Sequence, residues 1–375
     1  MVSYNTAELR RQNRNRVFRY IYSSETPVSK QDVAQNLSLS LPTVGQNLRE
    51  LLDAGLLELQ GTFDSTGGRK PKAIGVTANF KYSVGIMLSN RHIHIACIDL
   101  RAHQVCDAAM VKPFTGDENY FNDLAHILED FLDQNNIDRE RLLGVGIALP
   151  GIPDEDRNVV EMSHAVNCRT MDIGLLRKYI PYPCFVENDA NAGGVAEWWS
   201  ASGNNATMVY LSVQKGVGGA VLLDGVNYMG QHLHSGEFGH MCIEPGGRQC
   251  GCGQKGCLEA YCSTARFSDD LGITREDFFA GLEAGNQDYR DLWDDYLNHL
   301  ALGINNIHIV LDCDVVLGGV LAQFIEPYMD DLRHRIIAVS SFETDASYLR
   351  SAKYRKWTSC VGVALHFISE FLDTI

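Results

Sequence analysis

The 375-residue sequence predicts an α/β protein with a small N-terminal winged helix-turn-helix domain and a larger body of two lobes. Short apolar patterns of helical spacing fill residues 14–52, and strand and helix patterns alternate after residue 76. Charge divides at the same place. Residues 1–72 carry ten Lys and Arg against seven Asp and Glu, whereas the remainder carries 22 against 40. The net charge of −15 argues against a polyanionic partner, but the slightly basic N-terminal domain keeps nucleic acid open.

Composition and cysteine usage indicate where the protein works. Hydrophobic residues make up 45% and charged residues 21%, which is ordinary for a globular protein with a packed core. The polar, Arg-rich N-terminus does not resemble a secretory signal, and no uncharged apolar run reaches the length of a membrane helix. Eleven cysteines, an odd number, suit a reducing compartment better than a disulfide framework. We therefore expect a cytoplasmic protein without a membrane segment.

Three helices are predicted at the N-terminus. Apolar residues at helical spacing predict the first over 14–22 and the second over 30–36. Ser29 is the predicted N-cap of the second helix, and Asp32 stands at the third position of a near-match to a capping box. The third helix begins near Pro42, a residue that the first helical turn tolerates.

Two strand patterns, 56–59 and 73–76, then enclose a basic turn. Three helices followed by a hairpin with a basic tip are typical of a winged helix-turn-helix, whose third helix reads the major groove while the wing contacts phosphate or the minor groove. A helical protein-interaction module is the alternative. The candidate DNA contacts lie on the polar face of the third helix and on the wing: Ser40, Thr43, Gln46, Asn47, Arg49, Arg69, Lys70 and Lys72.

The body shows strand patterns that alternate with helices. Apolar runs at 82–88 and 93–100 predict one hairpin, and runs at 208–213 and 218–223 predict another. A buried strand over 143–149 ends in a Pro-Gly turn. Strands and helices in this order indicate an α/β architecture.

Several motifs of the body occur in a characteristic order: Leu149-Pro150-Gly151, Glu187-Asn188-Asp189-Ala190-Asn191, Gly216-Val217-Gly218-Gly219, Gly236-Glu237-Phe238-Gly239-His240, Cys250-Gly251-Cys252-Gly253 and Gly256-Cys257-Leu258-Glu259. From about Tyr82 to the C-terminus the chain resembles the ROK family (repressors, open reading frames and sugar kinases), a bacterial branch of the actin-like ATPase fold. With its N-terminal domain, the whole chain resembles ROK-type transcriptional repressors of the xylose- and N-acetylglucosamine-responsive kind. The resemblance implies a DNA-binding domain over 1–75, a first lobe over 76–190 plus about 345–375, and a second lobe over 191–344.

A group of metal-ligating residues follows Glu237. His240 precedes Cys250, Cys252 and Cys257 by ten, twelve and seventeen residues. One imidazole and three thiolates suit a closed tetrahedral Zn²⁺ site, and the resemblance assigns these same positions as zinc ligands. We expect one structural zinc ion per chain, with a cluster of free thiols as the alternative.

The predicted sugar site consists of side chains that donate to or accept from hydroxyl groups. Taken singly, each is more simply a helix cap or a surface charge. The resemblance implies that together they contact a sugar, with Asp189 at the position of the kinase general base: Gly151, Asn188, Asp189, Glu237, His240 and Glu259.

The phosphate-binding motifs of the related kinases are degenerate here. Those kinases carry Asp-x-Gly-Gly-Thr in the first hairpin, where this chain has residues 87–91. Met87 replaces the carboxylate that organises Mg²⁺, and Ser89 and Asn90 replace the glycines. The second phosphate loop is usually Gly-Thr-Gly-x-Gly, and residues 214–218 keep two of its glycines but lose the Thr. Because phosphoryl transfer depends on positioned metal and backbone donors, we predict no catalytic residue and no kinase activity. An active sugar kinase with an attached DNA-binding domain is the alternative.

The predicted function is a sugar-responsive DNA-binding repressor of carbohydrate metabolism, with its effector between the two lobes. Its expected partners are operator DNA, a sugar or sugar derivative, and further copies of the chain. A homodimer or a dimer of dimers would match a palindromic operator. A regulatory protein as effector stays open.

Overall fold

The computed structural model describes residues 6–63, 70–154, 156–162, 166, 168–201, 207–342 and 344–375. Its N-terminal domain has the predicted order of helices and hairpin: α1 (Thr6–Ser23), α2 (Lys30–Leu37), α3 (Leu41–Asp53), β1 (Leu57–Thr62) and β2 (Lys72–Val76). Strands β1 and β2 pair antiparallel. The capping box of α2 is complete, since Ser29 Oγ accepts from Asp32 N and Asp32 Oδ2 accepts from Ser29 N. The near-match in the sequence is therefore a working cap.

The first lobe is built on a mixed sheet of five strands in the order β10-β6-β3-β4-β5. Strand β6 runs parallel to β3 and β10, and β3 and β4 form the predicted hairpin. The buried strands read as nearly continuous apolar runs because helices cover both faces of the sheet. In chain order, the elements are β3 (Tyr82–Leu88), β4 (His92–Asp99), β5 (Gln104–Val111), α4 (Glu118–Gln134), β6 (Leu142–Leu149), β7 (Gly151–Asp154), β8 (Val159–Met162), β9 (Thr170–Asp172), α5 (Ile173–Tyr179) and β10 (Cys184–Asn188). Helix α6 (Asp189–Ser200) follows β10 and packs mainly on the sheet of the second lobe.

The second lobe repeats this plan with a sheet in the order β13-β12-β11-β14-β15. The predicted hairpin is β11 with β12, and β14 lies parallel to β11 and β15. The elements are β11 (Thr207–Val213), β12 (Val217–Leu223), β13 (Val226–Asn227), α7 (Leu258–Cys262), α8 (Arg275–Glu283), α9 (Gln287–Leu311), β14 (Asp314–Gly318), α10 (Met329–Val339) and β15 (Leu349–Ser351); α11 (Thr358–Thr374) then closes the chain. The second lobe thus extends past the predicted boundary at 344, because β15 still pairs with β14.

Helix α11 returns to the first lobe and packs against its sheet and against α6. The packing is close enough to require glycine. A Cβ on Gly362 would lie 1.7 Å from the carbonyl oxygen of Ala192 in α6, and one on Gly85 of β3 would lie 1.8 Å from the carbonyl oxygen of Cys360. Ser359 Oγ also donates to the carbonyl oxygen of Asp189 at 2.8 Å. Helix α11 is therefore fixed to the first residue of α6.

The N-terminal domain shares a buried core with the first lobe. Val17, Phe18 and Ile21 of α1 belong to one apolar cluster with Leu365 and Ile368 of α11. All five side chains are at most 1% exposed. Because this core is continuous, helix α1 is joined to the first lobe by packing as well as by the chain.

Hydrogen bonds border this shared core. The Tyr22 hydroxyl donates to the carbonyl oxygen of Leu100 at 2.9 Å, and Arg101 Nη2 donates to the carbonyl oxygen of Ser24 at 3.0 Å. Burial raises the pKa of the Tyr22 phenol well above its usual value, so the hydroxyl stays a neutral donor. Within the part of the chain that the structure describes, no helix is long and apolar enough to cross a bilayer.

Candidate functional site

The four predicted metal ligands lie together in the second lobe. His240 ends a short 3-10 helix, Phe238–His240, and Cys257 is the N-cap residue of α7. One ligand atom from each of His240, Cys250, Cys252 and Cys257 lies within 4.8 Å of the others. These four residues, called the metal cluster below, form a group that could hold a metal ion.

The spacing within the metal cluster suits a tetrahedral ion. Cys252 Sγ lies 3.8 Å from Cys257 Sγ, and Cys250 Sγ lies 3.9 Å from His240 Nδ1. Metal–sulfur bonds of about 2.3 Å at the tetrahedral angle would put two thiolates about 3.8 Å apart. The donor set and these two distances therefore suit such an ion.

The backbone of this segment is held in tight turns. Gly256 has a φ of +83°, and a Cβ there would lie 1.9 Å from the carbonyl oxygen of Glu244. Its amide donates to the carbonyl oxygen of Arg248 at 2.8 Å. Two other cysteines lie near the cluster but outside it: Cys262 is buried, whereas Cys242 is exposed.

Asn188 and Asp189 stand where β10 ends and α6 begins. Asn188 Oδ1 accepts from the backbone amides of Ala190 and Asn191, which caps the helix. Its Nδ2 donates to the carbonyl oxygen of Gly151 at 3.0 Å. The structure thus brings the predicted Pro-Gly turn and the Asn-Asp pair to one edge of the first lobe.

The second lobe contributes the opposing carboxylates. Glu259 Oε2 accepts from the amide of Val217 at 2.9 Å, and Glu259 Oε1 lies 3.7 Å from Cys250 Sγ. Glu237 Oε2 lies 3.9 Å from His240 Nε2. The imidazole therefore turns Nδ1 to the thiols and Nε2 to a carboxylate, so that the sugar-site candidates of this lobe adjoin the metal cluster.

Asp189 is the most perturbed acid of this group. Burial raises the pKa of its carboxyl to about 6, and the negative charge of Glu237 contributes in the same direction. The carboxylates of Asp189 and Glu237 thus lie close enough to interact electrostatically. Such a pair can accept hydrogen bonds from neighbouring hydroxyl groups of a polyol.

The sequence interpretation did not include Gln214 as a site residue. Gln214 lies in the turn between β11 and β12, and its Nε2 is 3.4 Å from Asp189 Oδ2. The signal was present in the sequence, because a long amide replaces a glycine of the second phosphate loop. The direction of the side chain could not be read from the sequence, since Asp189 lies 25 residues away at the start of α6.

The first hairpin of the body, β3 with β4, carries Met87 into apolar packing. The Met87 side chain packs against a small apolar cluster of Ala148, Ala192 and Val363. In the turn, Ser89 Oγ donates to the carbonyl oxygen of His92 at 3.1 Å. Met87 thus lies among apolar neighbours in the first lobe.

Helix α3 presents fewer polar side chains than predicted. Gln46 and Arg49 are exposed, whereas Ser40 is the N-cap and bonds through its hydroxyl to Thr43 Oγ1 at 2.8 Å. Asn47 is only 6% exposed, and its Nδ2 donates to the carbonyl oxygen of Thr43 at 2.9 Å. The predicted exposure of Asn47 is therefore wrong, because its amide bonds back onto its own helix.

The wing is described in part. Lys70 and Lys72 are exposed, and they lie beside α3 around a cavity of about 520 Å³ that Lys30 and Arg49 also line. Arg69, another predicted DNA contact, lies outside the described residues. The basic side chains of the wing and of α3 thus share one surface.

Solved structures with this fold include regulators and kinases. A ROK family transcriptional regulator described as a homologue of the E. coli MLC protein aligns with a TM-score of 0.75 over 97% of both chains, at 22% identity. The ROK hexokinase of Thermus thermophilus aligns with a TM-score of 0.65 at 27% identity, over 78% of this chain and 99% of its own. The fold of the body is thus common to both classes.

Residues 83–370 match the ROK family, and the chain belongs to that family. A putative xylose repressor of a Caldicellulosiruptor species is 27% identical over 98% of both chains. The xylose repressor of Bacillus subtilis is 31% identical, over 64% of this chain and 62% of its own length, less than two thirds of that relative. The NagC regulator of E. coli K12 is 24% identical over 64% of this chain and 59% of its own.

Proposed function

We propose that this chain is a transcriptional repressor that releases or binds operator DNA in response to a sugar. The observation that carries the proposal is the continuous core between α1 and α11, because α11 also binds the first residue of α6 at the candidate sugar site. A ligand in the cleft and the DNA-binding surface thus contact the same helix. The repressor names of relatives that align over 98% or 64% of this chain agree with this role, as does the regulator name of another relative that aligns over 64% of it.

The sugar would bind between the lobes. Asp189, with Asn188 and the Gly151 turn beside it, would contact the ligand from the first lobe, and Glu237, Glu259 and the His240 ring would contact it from the second. Hydroxyl groups of a sugar can donate to these carboxylates, and the imidazole can donate from Nε2. Since the ligands come from both lobes, a bound sugar would favour their closed arrangement.

We assign the metal cluster to one Zn²⁺ ion. Three thiolates and one imidazole leave no position for water, so the ion would act as a structural crosslink. By fixing His240 Nδ1, it would orient Nε2 toward Glu237 and the sugar. The metal thus supplies rigidity to the half of the sugar site that the second lobe contributes.

Operator binding would use α3 and the wing. Gln46 and Arg49 would face the major groove, with Thr43 beside them, whereas Lys70 and Lys72 would contact phosphate. Two such domains in a homodimer would span a palindromic operator. The acidic body would be repelled by DNA outside the operator contacts, which disfavours other orientations.

Kinase activity would be lost. The side chain that replaces the Mg²⁺-organising carboxylate, Met87, is packed among apolar residues. A panel of sugars with ATP and Mg²⁺ in a coupled assay should therefore show no sugar-dependent ADP release. ADP release above the sugar-free rate would instead favour an enzyme with a DNA-binding domain.

The experiment that tests the proposed function compares Asp189→Asn with the natural protein. D-xylose, D-glucose and N-acetyl-D-glucosamine are screened for a rise in unfolding temperature, and the sugar that binds is added to a gel-shift assay with operator DNA. Asp189→Asn should keep operator binding but lose the response to that sugar, by about tenfold or more in sugar affinity for one charged acceptor.

The matched control is Asp224→Asn, the same chemical change in an exposed turn of the second lobe. Asp224 has a φ of +51°, which Asn tolerates, so this variant should respond to sugar normally. A full sugar response in Asp189→Asn would remove Asp189 from the sugar site.

A further inference from the structure

The turn between β11 and β12 carries a side chain that reaches the start of α6. Gln214 Nε2 lies 3.4 Å from Asp189 Oδ2 and 3.3 Å from Ser212 Oγ. Helix α6 follows the first-lobe strand β10 and packs on β11 and β12 of the second lobe. The amide is therefore a direct polar link between the second-lobe hairpin and the candidate sugar site.

The backbone holds Gln214 in place. Its amide donates to the carbonyl oxygen of Gly216 at 2.8 Å, and its carbonyl oxygen accepts from the amide of Thr264 at 2.8 Å. Both main-chain groups are thus engaged within the second lobe. Because these bonds fix the backbone of Gln214, its side-chain amide is held within reach of Asp189.

Polar groups continue from Gln214 along one face of β11. Residues two apart in a strand share a face, which places Tyr210 and Ser212 in line with Gln214. The Tyr210 hydroxyl is buried and accepts from the amide of Gly319 at 3.0 Å. The line runs from Asp189 to the Gly318-Gly319 turn.

We propose that Gln214 is a positioning residue of the sugar site, which holds Asp189 Oδ2 so that the carboxylate presents a fixed acceptor to the sugar. This inference rests on the proposed function, in which Asp189 accepts from a sugar hydroxyl. In the same position a kinase would need space for phosphate. Gln214 thus stands where a kinase would contact phosphate, and its amide instead holds the Asp189 carboxylate at the sugar site.

The charges around Asp189 make the role of Gln214 measurable. Glu237 from the second lobe raises the pKa of Asp189, as burial does, and the phenol of Tyr210 in β11 is held neutral by its own burial. Helix α11 contributes the Ser359 hydroxyl, which does not titrate. A hydrogen bond from an uncharged amide favours the ionised carboxylate, so removing it raises the pKa of Asp189 further.

The test uses the full chain with Gln214→Met, which keeps the length but removes the donor, and Gln214→Glu, which adds a negative charge. Aspartate labelled with ¹³C at its carboxyl reports the titration of Asp189, identified by the resonance that Asp189→Asn lacks. Gln214→Met should raise the midpoint by about one unit, as expected for the loss of one hydrogen bond to a charged group. Gln214→Glu should raise it more.

Lys215→Met is the matched control, because Lys215 is the neighbouring residue and its ammonium pairs with Asp269 at the surface. The midpoint of the Asp189 titration in Lys215→Met should equal that of the natural chain. An unchanged Asp189 midpoint in both Gln214 variants would overturn the positioning role. No sugar is needed for this measurement, so its result does not depend on the identity of the effector.

Sugar affinity gives the second readout, with D-xylose, D-glucose and N-acetyl-D-glucosamine as probes from about pH 5 to about pH 8. Near pH 6, Gln214→Met should bind about tenfold more weakly and recover at higher pH as Asp189 ionises. Equal weakening at every pH would show lost packing and contradict the proposal. If no probe binds the natural chain, these sugars fail as effectors, while the titration still decides the role of Gln214.

Discussion

The two lobes share a sheet plan but carry different attachments. The first lobe is packed against the N-terminal domain through α1 and α11, whereas the second holds the metal cluster. The candidate sugar site draws on both. A change in the angle between the lobes would therefore move the side of the site that adjoins the metal cluster relative to the N-terminal domain. On the proposed function, a bound ligand could in this way change the spacing of the operator contacts.

The largest expected effect is on the second lobe, through Cys257→Ser. Loss of one thiolate should abolish stoichiometric zinc, and structural zinc sites contribute on the order of 10 kcal/mol to the folding of small domains. Elemental analysis should find about one zinc ion in the natural chain, as a closed Cys₃His site binds. Calorimetry should show that the second lobe unfolds at a lower temperature in the variant.

Cys242→Ser is the matched control for that change. Cys242 is exposed, lies two residues after His240 and is outside the metal cluster, so zinc content and unfolding temperature should stay as in the natural chain. Full zinc content in Cys257→Ser would contradict the assignment of the ligands.

A smaller effect should separate two neighbours in α3. Gln46→Ala should weaken operator binding by about 1–3 kcal/mol, the range for one base contact, and leave the free energy of unfolding unchanged. Asn47→Ala should instead lower the free energy of unfolding by about 1 kcal/mol, since it removes the hydrogen bond to the Thr43 carbonyl. Gel shifts and denaturant unfolding on both variants test this.

The opposite pattern, in which Asn47→Ala weakens operator binding and Gln46→Ala lowers the free energy of unfolding, would show that α3 faces DNA differently. Equal operator binding in Gln46→Ala and the natural chain would remove Gln46 from the recognition surface.

The smallest expected effect is at the junction with the first lobe. Tyr22→Phe removes the donor to the Leu100 carbonyl and should cost about 1 kcal/mol in the free energy of unfolding. Tyr20→Phe in the same helix is the control, because among the described contacts its hydroxyl makes no hydrogen bond. Equal stability of both variants would mean that this bond does not hold the N-terminal domain to the body.

Local chemistry explains which predictions succeeded. The order of the N-terminal elements and both hairpins of the body follow from apolar spacing and turn residues within short stretches. The metal cluster also lies within 18 residues, and the glycines there permit the tight turns that bring the predicted ligands together. Such features depend on few long-range contacts.

Other features depended on residues far apart in the chain. The motif around Asp189 was visible in the sequence, but its link to Gln214 joins the start of α6 to the turn between β11 and β12. The inward turn of Asn47 follows from packing of α3, and β15 joined the second sheet although its short segment carries no strong pattern.

The sequence by itself determined the class of fold, the family motifs and the candidate metal ligands, because residue type and short spacing suffice for them. Only the tertiary structure decided that α1 is packed onto α11, that α11 binds the start of α6, and that the Gln214 amide reaches Asp189. The physical reason is that these contacts join residues distant in sequence, whose approach is set by core packing and cannot be read from any local pattern.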